Sequence, residues 1–318
     1  MRKDVALGCV EAQVNLGFMY ASGRGGLSKD EVEAARLYRL SANQGYAPGQ
    51  ANLGFLYERG LGGFPTDEVE AVRLYRLSAN QGYALGQSSL GEMYAHGRGG
   101  LSKDEVEAVR LYRLSSNQGE PFGQVHLGFM YERGLGGLSK DDVEAVRLYR
   151  LAANQGNAHG QSSLGEMYAR GLGGLSRDDV EAVRLYRLSA NQGNDLGQVN
   201  LGVMYERGRG GLSKDDVQAV RLYRLSANQG NAGAQANLGA MYARGLGGLS
   251  KDEVEALRLF RLSANQGYAS GQANLGFMYE NGRGGLTRNI ETALHWYRLA
   301  AKQGSAFAIA SLKRLEGR

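Results

Sequence analysis

Residues 46–82 read YAPGQANLGFLYERGLGGFPTDEVEAVRLYRLSANQG, and the chain repeats this one sentence along its length. The pair Leu53-Gly54 is already present at Leu16-Gly17. It returns at Leu90-Gly91, Leu127-Gly128, Leu164-Gly165, Leu201-Gly202, Leu238-Gly239 and Leu275-Gly276, always 37 residues on. A strict period of this size marks a solenoid of stacked supersecondary units. A residue present eight times is first of all structural, whereas catalysis needs a unique constellation.

Each unit reads as two helices. Gly49, Leu53, Leu56 and Tyr57 recur at three- and four-residue spacing, one face of a first helix. Gly60 stops it, as a C-terminal glycine at positive φ does. A loop follows in which Phe64 is expected to plug the space between helices. Asp67 and Glu70 have capping-box spacing at the start of a second helix, whose buried face is Ala71, Leu74, Tyr75, Ser78 and Ala79. Gln81-Gly82 ends it. Gly54 sits inside a helix, where glycine costs about 1 kcal/mol relative to alanine. That cost implies close approach of the partner helix, with Tyr57 and Tyr75 as knobs against small Gly54, Ala71 and Ala79. Burying one such aromatic contributes roughly 1.5–3 kcal/mol, so each repeat leans on its neighbours. The expectation is an all-α fold: a single array over residues 1–318, with repeats beginning near 9, 46, 83, 120, 157, 194, 231 and 268 and a closing helix from Ser305 to Leu315.

Composition agrees with an ordered helical array. The 42% hydrophobic fraction suffices for a continuous core, and the 49 glycines fall at fixed register rather than in runs. The net charge of +5 permits an anionic partner without requiring one. Cys9 is the only cysteine, which fits a reducing compartment and excludes an intrachain disulfide. The start, Met1 to Gly8, lacks the apolar stretch of a signal peptide, and nowhere do about eighteen apolar residues run together. A cytoplasmic protein without a transmembrane segment is expected, monomeric by default.

The run Leu-Gly-x-Met-Tyr, the Gly-x-Gly-Gly loop, the capping Asp, Ala-x-x-x-Tyr and the closing Gln-Gly together resemble the SEL-one-like repeat, an α/α relative of the tetratricopeptide repeat. The eighth copy, Ala293-Leu294-His295-Trp296-Tyr297-Arg298-Leu299-Ala300-Ala301, is nearest the family pattern. The resemblance covers essentially the whole chain. It implies a right-handed superhelix and a role as an adaptor between other proteins, often in signalling or membrane-associated complexes. The chain departs from the disulfide-linked secreted members in its scarcity of cysteine. Leu77 and its equivalents also stand where the family more often carries a charge.

Copies alternate: the residue after the tyrosine reads Ala21, Glu58, Ala95, Glu132, Ala169, Glu206, Ala243, Glu280. The segment from Gln87 to Glu92 recurs unchanged at residues 161–166, two repeats later, which points to growth by copying pairs. The scattered His96, His126 and Pro121 point to drift rather than to a designed consensus. A helical wheel with Leu53 at zero places Pro48, Ala51, Phe55, Glu58 and Arg59 on the opposite side of the first helix. By analogy with tetratricopeptide arrays this side lines the concave face, and copies disagree most there. The Phe55 column reads Phe18, Phe55, Glu92, Phe129, Glu166, Val203, Ala240, Phe277; the Pro48 column includes Leu85, Phe122, His159 and Leu196. Exposed aromatics mark contact sites more often than polar drift does. The candidate partner-binding set is therefore Phe18, Phe55, Leu85, Phe122, Phe129, Leu196 and Phe277, with Glu58, Arg59, Glu132, Arg133, Arg170 and Arg207 as a charged rim. The occupant expected is a peptide or protein.

An alternative places an anionic polymer or membrane surface on the second helix, where Arg73, Arg76 and their equivalents form outward columns. Glu70, three residues before Arg73, favours a solvated ion-paired face instead. Without interleaved aromatics nucleic acid is disfavoured. The Gly-x-Gly-Gly loops follow a helix and lack the Lys-Ser/Thr of a phosphate loop, so they read as turns. His96, His126, His159 and His295 are too scattered for a local zinc motif; His96 and His159, two helix layers apart, are expected about 20 Å from one another. Ser88 and Ser89 have no elbow glycines. No catalytic residue, metal or cofactor is expected, and the function is read as a non-enzymatic scaffold.

Overall fold

The computed structural model describes residues 5 and 7–317; residues 1–4, read above for a leader, lie outside the described residues. Seventeen α-helices and no strand occur among the described residues. In chain order they are α1 (Val10–Ser22), α2 (Glu31–Asn43), α3 (Ala47–Arg59), α4 (Glu68–Asn80), α5 (Ala84–His96), α6 (Glu105–Asn117), α7 (Pro121–Arg133), α8 (Asp142–Asn154) and α9 (Ala158–Arg170). They continue as α10 (Asp179–Asn191), α11 (Asp195–Arg207), α12 (Asp216–Asn228), α13 (Ala232–Arg244), α14 (Glu253–Asn265), α15 (Ala269–Asn281), α16 (Ile290–Lys302) and α17 (Ala306–Glu316). An odd-numbered helix and the even-numbered one after it make the helix hairpin expected of each repeat, and α17 is the closing helix.

The chain divides into two compact units, residues 1–160 with 172–174 and residues 161–171 with 175–318. Within each, every hairpin packs on the next through its even helix. In the first unit α3 also touches α1 and α5, and α5 touches α7; in the second unit α13 touches α15 in the same way. Odd helices thus form a layer of their own.

Local chemistry sets the helix ends. Asp67 accepts the Glu70 backbone N–H at 3.0 Å, the expected N-cap. The reciprocal half of the box is not made: Glu70 turns to Arg73, and the Asp67 N–H donates to the Tyr57 carbonyl at 2.9 Å. Gly60 closes α3 at φ 64°, a conformation that costs a side-chain-bearing residue. Phe64 stacks on Tyr57 with centroids 4.4 Å apart, and the Arg39 guanidinium lies over its ring, so the loop is plugged as expected.

The helical glycine is explained by the partner helix. A Cβ at Gly54 would stand 2.8 Å from Cε1 of Tyr75, whose ring is buried between Ala71 and Ala79. Between repeats, Gly99 (φ 60°) rests directly on the Glu68 carbonyl, fixing the loop of one repeat on the even helix of the repeat before. An amide pair with a buried acceptor completes each repeat: Gln81 Nε2 donates to Gln50 Oε1 at 2.8 Å, and seven further pairs run from Gln44→Gln13 to Gln303→Gln272. Buried polar groups of this kind are rarely left unpaired, and each such bond is worth about 1 kcal/mol.

Ala51, placed outward by the single-helix projection, is 1% exposed. The neighbouring odd helices cover that flank, which a wheel of one isolated helix does not contain.

Candidate functional site

In the first unit α3, α5 and α7 enclose a cavity of about 270 Å³. Phe55 and Phe122 enter it from helices two repeats apart, and Leu85 enters from the helix between. Both rings remain open to solvent, at 47% and 44%. Arg59, Glu58 and Glu92 supply charge to the wall, and Asn52, Ser88, Ser89 and His126 supply polar edges. Five of the residues expected from sequence therefore meet at one place: Phe55, Glu58, Arg59, Leu85 and Phe122.

The rest of the expected set is distributed elsewhere. Phe129 is exposed farther along α7, with the Arg133 guanidinium 5.6 Å from its ring centre. Phe18 is exposed on α1 beside Arg24. Leu196 and Arg207 are exposed on α11, and Arg170 is exposed at the end of α9, bonded to Glu166 at 2.9 Å. Phe277 is half-buried in the second unit, in a separate pocket of about 210 Å³ with Arg244 and Arg283, its ring 6.2 Å from that of Phe307.

Glu58 and Glu132 require correction as rim residues. Glu58 is only 8% exposed. Its carboxylate accepts the Tyr75 hydroxyl at 2.8 Å and Arg98 Nη1 at 3.0 Å, while Arg98 also binds Glu68. Glu132 is half-buried and accepts from Tyr149 at 2.9 Å; Glu206 and Glu280 accept from Tyr223 and Tyr297. The glutamate of the Glu/Ala alternation thus turns inward, because it lies on the helix flank within reach of the partner helix's phenol. Among the alanine copies, the one with Ala243 holds Phe260 at the tyrosine position, with no hydroxyl to satisfy, whereas those with Ala21, Ala95 and Ala169 keep Tyr38, Tyr112 and Tyr186. Burial and the adjacent Glu58 hold the Tyr75 phenol far above its ordinary value.

Asn52, Ser89 and His126 were missed, although a signal exists: each directly precedes the repeated leucine, and that column varies as the Phe55 column does. His126 stacks on Tyr112 at 4.9 Å. Burial, with His159 and His96 nearby, lowers its pKa to about 4, so the ring is neutral at pH 7. Phe122 packs against His159 with centroids 6.5 Å apart. No group of three or more metal-ligating side chains gathers among the described residues.

On the even helices, Arg73 binds Glu70 through two hydrogen bonds of 2.7 Å. Arg36, Arg110, Arg147, Arg184 and Arg258 repeat this bidentate pairing with the glutamate three residues earlier. No helix among the described residues is long and apolar enough to cross a membrane.

The Sel1 repeat family model matches residues 10–46, 47–83, 84–120, 121–157, 158–194, 196–231, 232–268 and 269–305, nearly the whole chain. The chain belongs to the Sel1 repeat family. Among solved structures, this Sel1 repeat protein is 38% identical to c5321, a protective antigen present in uropathogenic Escherichia coli strains displaying an SLR fold. That match has a TM-score of 0.52 and covers 99% of this chain but 66% of c5321, so the chain spans just under two thirds of that relative. A Sel1 repeat protein from Oxalobacter formigenes is 30% identical with a TM-score of 0.60, over 79% of this chain and 96% of its own. No curated protein matches the chain. Sel1 repeat proteins are in general non-catalytic scaffolds for protein interactions.

Proposed function

We propose that this Sel1 repeat protein is a non-enzymatic interaction scaffold whose odd-helix layer in the first unit seats a peptide or protein segment. The observation that carries this reading is the pair Phe55 and Phe122. Two large rings, each nearly half exposed, open on one cavity, and most of the residues around them also vary between repeats on the constant repeat frame. Exposed aromatics converging on a concavity are what binding hot spots are made of. Phe129, Phe18, Leu196, Arg207 and Phe277 extend the contact face beyond this seat. The test is affinity capture and cross-linking mass spectrometry to identify a partner, followed by titration of that partner against wild type and Phe55→Ala/Phe122→Ala. Equal affinity for the two proteins defeats the reading.

The even-helix arginine surface is the weaker alternative. Each bidentate glutamate cancels the charge that a phosphate-bearing polymer would seek, leaving Arg221, which faces Gln218 instead, and Arg76 with its equivalents.

A further inference from the structure

In the first unit three rows of side chains cross α3, α5 and α7 at equivalent positions. Pro48, Leu85 and Phe122 make an apolar row; Phe55, Glu92 and Phe129 follow seven residues on; Arg59, His96 and Arg133 close the helices. The basic row differs from every paired arginine on the even helices. Arg59 and Arg133 are exposed, no carboxylate pairs with either among the described residues, and each guanidinium instead lies 5.8 or 5.6 Å from the ring of the phenylalanine one turn earlier. The neighbouring carboxylates of Glu58 and Glu132 are withdrawn toward the core, each receiving a tyrosine hydroxyl. Arg59 therefore stands unpaired on the cavity wall with Glu92 on the next odd helix, and Arg133 stands unpaired beyond the wall at the end of α7. A favourable interaction with the helix C-terminus accounts for one cation at each helix end. It does not account for cations left open next to exposed aromatic rings, one of them on the cavity wall.

Resting on the reading of this cavity as a peptide seat, we propose that its occupant is an acidic, extended peptide. One bulky apolar side chain enters between Phe55, Leu85 and Phe122, and flanking carboxylates meet Arg59 and Arg133. Charge complementarity carries the assignment. Arg59 and Arg133 stand two helix layers apart, about 20 Å at about 10 Å per layer. An extended chain advances about 3.3 Å per residue, so carboxylates about six residues apart span the two arginines. Glu92, between them on α5, is acidic in the wall, as is the Arg98-bound Glu58, and keeps the centre of the peptide free of carboxylates.

The test is fluorescence anisotropy with the full chain and the labelled octapeptide Glu-Asp-Ser-Leu-Phe-Ser-Asp-Glu. Three counterparts accompany it: Leu-Phe replaced by Ser-Ser, all acids replaced by Lys, and all acids replaced by Gln. The acidic apolar peptide is expected to bind about tenfold more tightly than any counterpart and to weaken as salt is raised. Arg59→Ala with Arg133→Ala should cost about tenfold, and Arg73→Ala with Arg110→Ala should change nothing, since those two are already paired. All four arginines are exposed, so the fold is retained.

Tighter binding of the Lys or Gln peptide, still lost in Phe122→Ala, overturns the acidic partner while keeping the seat. Equal binding of the Ser-Ser peptide overturns the apolar anchor and points to a generic polyanion. Binding that ignores Phe55→Ala/Phe122→Ala, or no binding by any of the four peptides, overturns both the seat and its occupant.

Discussion

The hydroxyl of Tyr75 donates a 2.8 Å hydrogen bond to the carboxylate of Glu58 across the hairpin of the second repeat, and both side chains are buried. A buried carboxylate is tolerated only when its oxygens are satisfied. Here Tyr75 takes Oε2 and Arg98 takes Oε1. Tyr75→Phe should therefore destabilise the protein by about 1–3 kcal/mol, read as a lower urea midpoint. Adding Glu58→Ala reproduces the natural combination of Ala243 with Phe260, so the double variant should lose less than the sum of the single losses. A strictly additive cycle would show that the pair is not coupled.

Gly128 lies against Tyr149, with a hypothetical Cβ 2.8 Å from Cε1. The ring cannot swing away, because it is buried and its hydroxyl is held by Glu132. Alanine would recover about 1 kcal/mol of helix propensity, but overpacking a core costs typically 1–3 kcal/mol. Gly128→Ala should thus be destabilising on balance, and Gly128→Leu more so. Chemical unfolding of both variants checks the order; a stabilised alanine variant would mean that the hairpin yields at this point.

His126 has its pKa lowered to about 4 from an ordinary 6.5, by burial and by His159 and His96. The unfolded chain takes up the proton first as pH falls. The folded state is therefore fully favoured above pH 6.5 and loses stability between there and pH 4, by at most about 3 kcal/mol. His126→Asn, which copies Asn52 of the second repeat, should flatten this part of the pH–stability profile. Wild-type and variant profiles that run parallel through the window would refute the assignment.

Phe55 and Phe122 have lost only about half of their exposure to packing. Phe55→Ala with Phe122→Ala should leave the melting temperature within a few degrees of wild type, as surface substitutions do, while partner binding is lost. A large drop in melting temperature would identify the rings as core rather than contact surface.

The sequence alone determined what is local. The 37-residue period, the two helices of each repeat, Gly60 as a helix stop, Asp67 as an N-cap and the buried face from Ala71 to Ala79 depend on residues within a few turns of one another. Phe55, Arg59, Leu85 and Phe122 were legible as site candidates because each stands outward in a column that varies on a constant frame. Tertiary structure decided everything set by the next helix along. Ala51 is covered and Glu58 is drawn inward because neighbouring odd helices and the Tyr75 phenol occupy the flank that a lone-helix wheel leaves empty. The Gln50–Gln81 bond and the Arg98 bridge to Glu58 and Glu68 join residues 30 or more positions apart. Helix periodicity says nothing about such pairs, since their contact depends on how closely and at what height two helices pack. Likewise, only packing brought Asn52, Ser89 and His126 to the wall of one cavity and left Phe129 outside it.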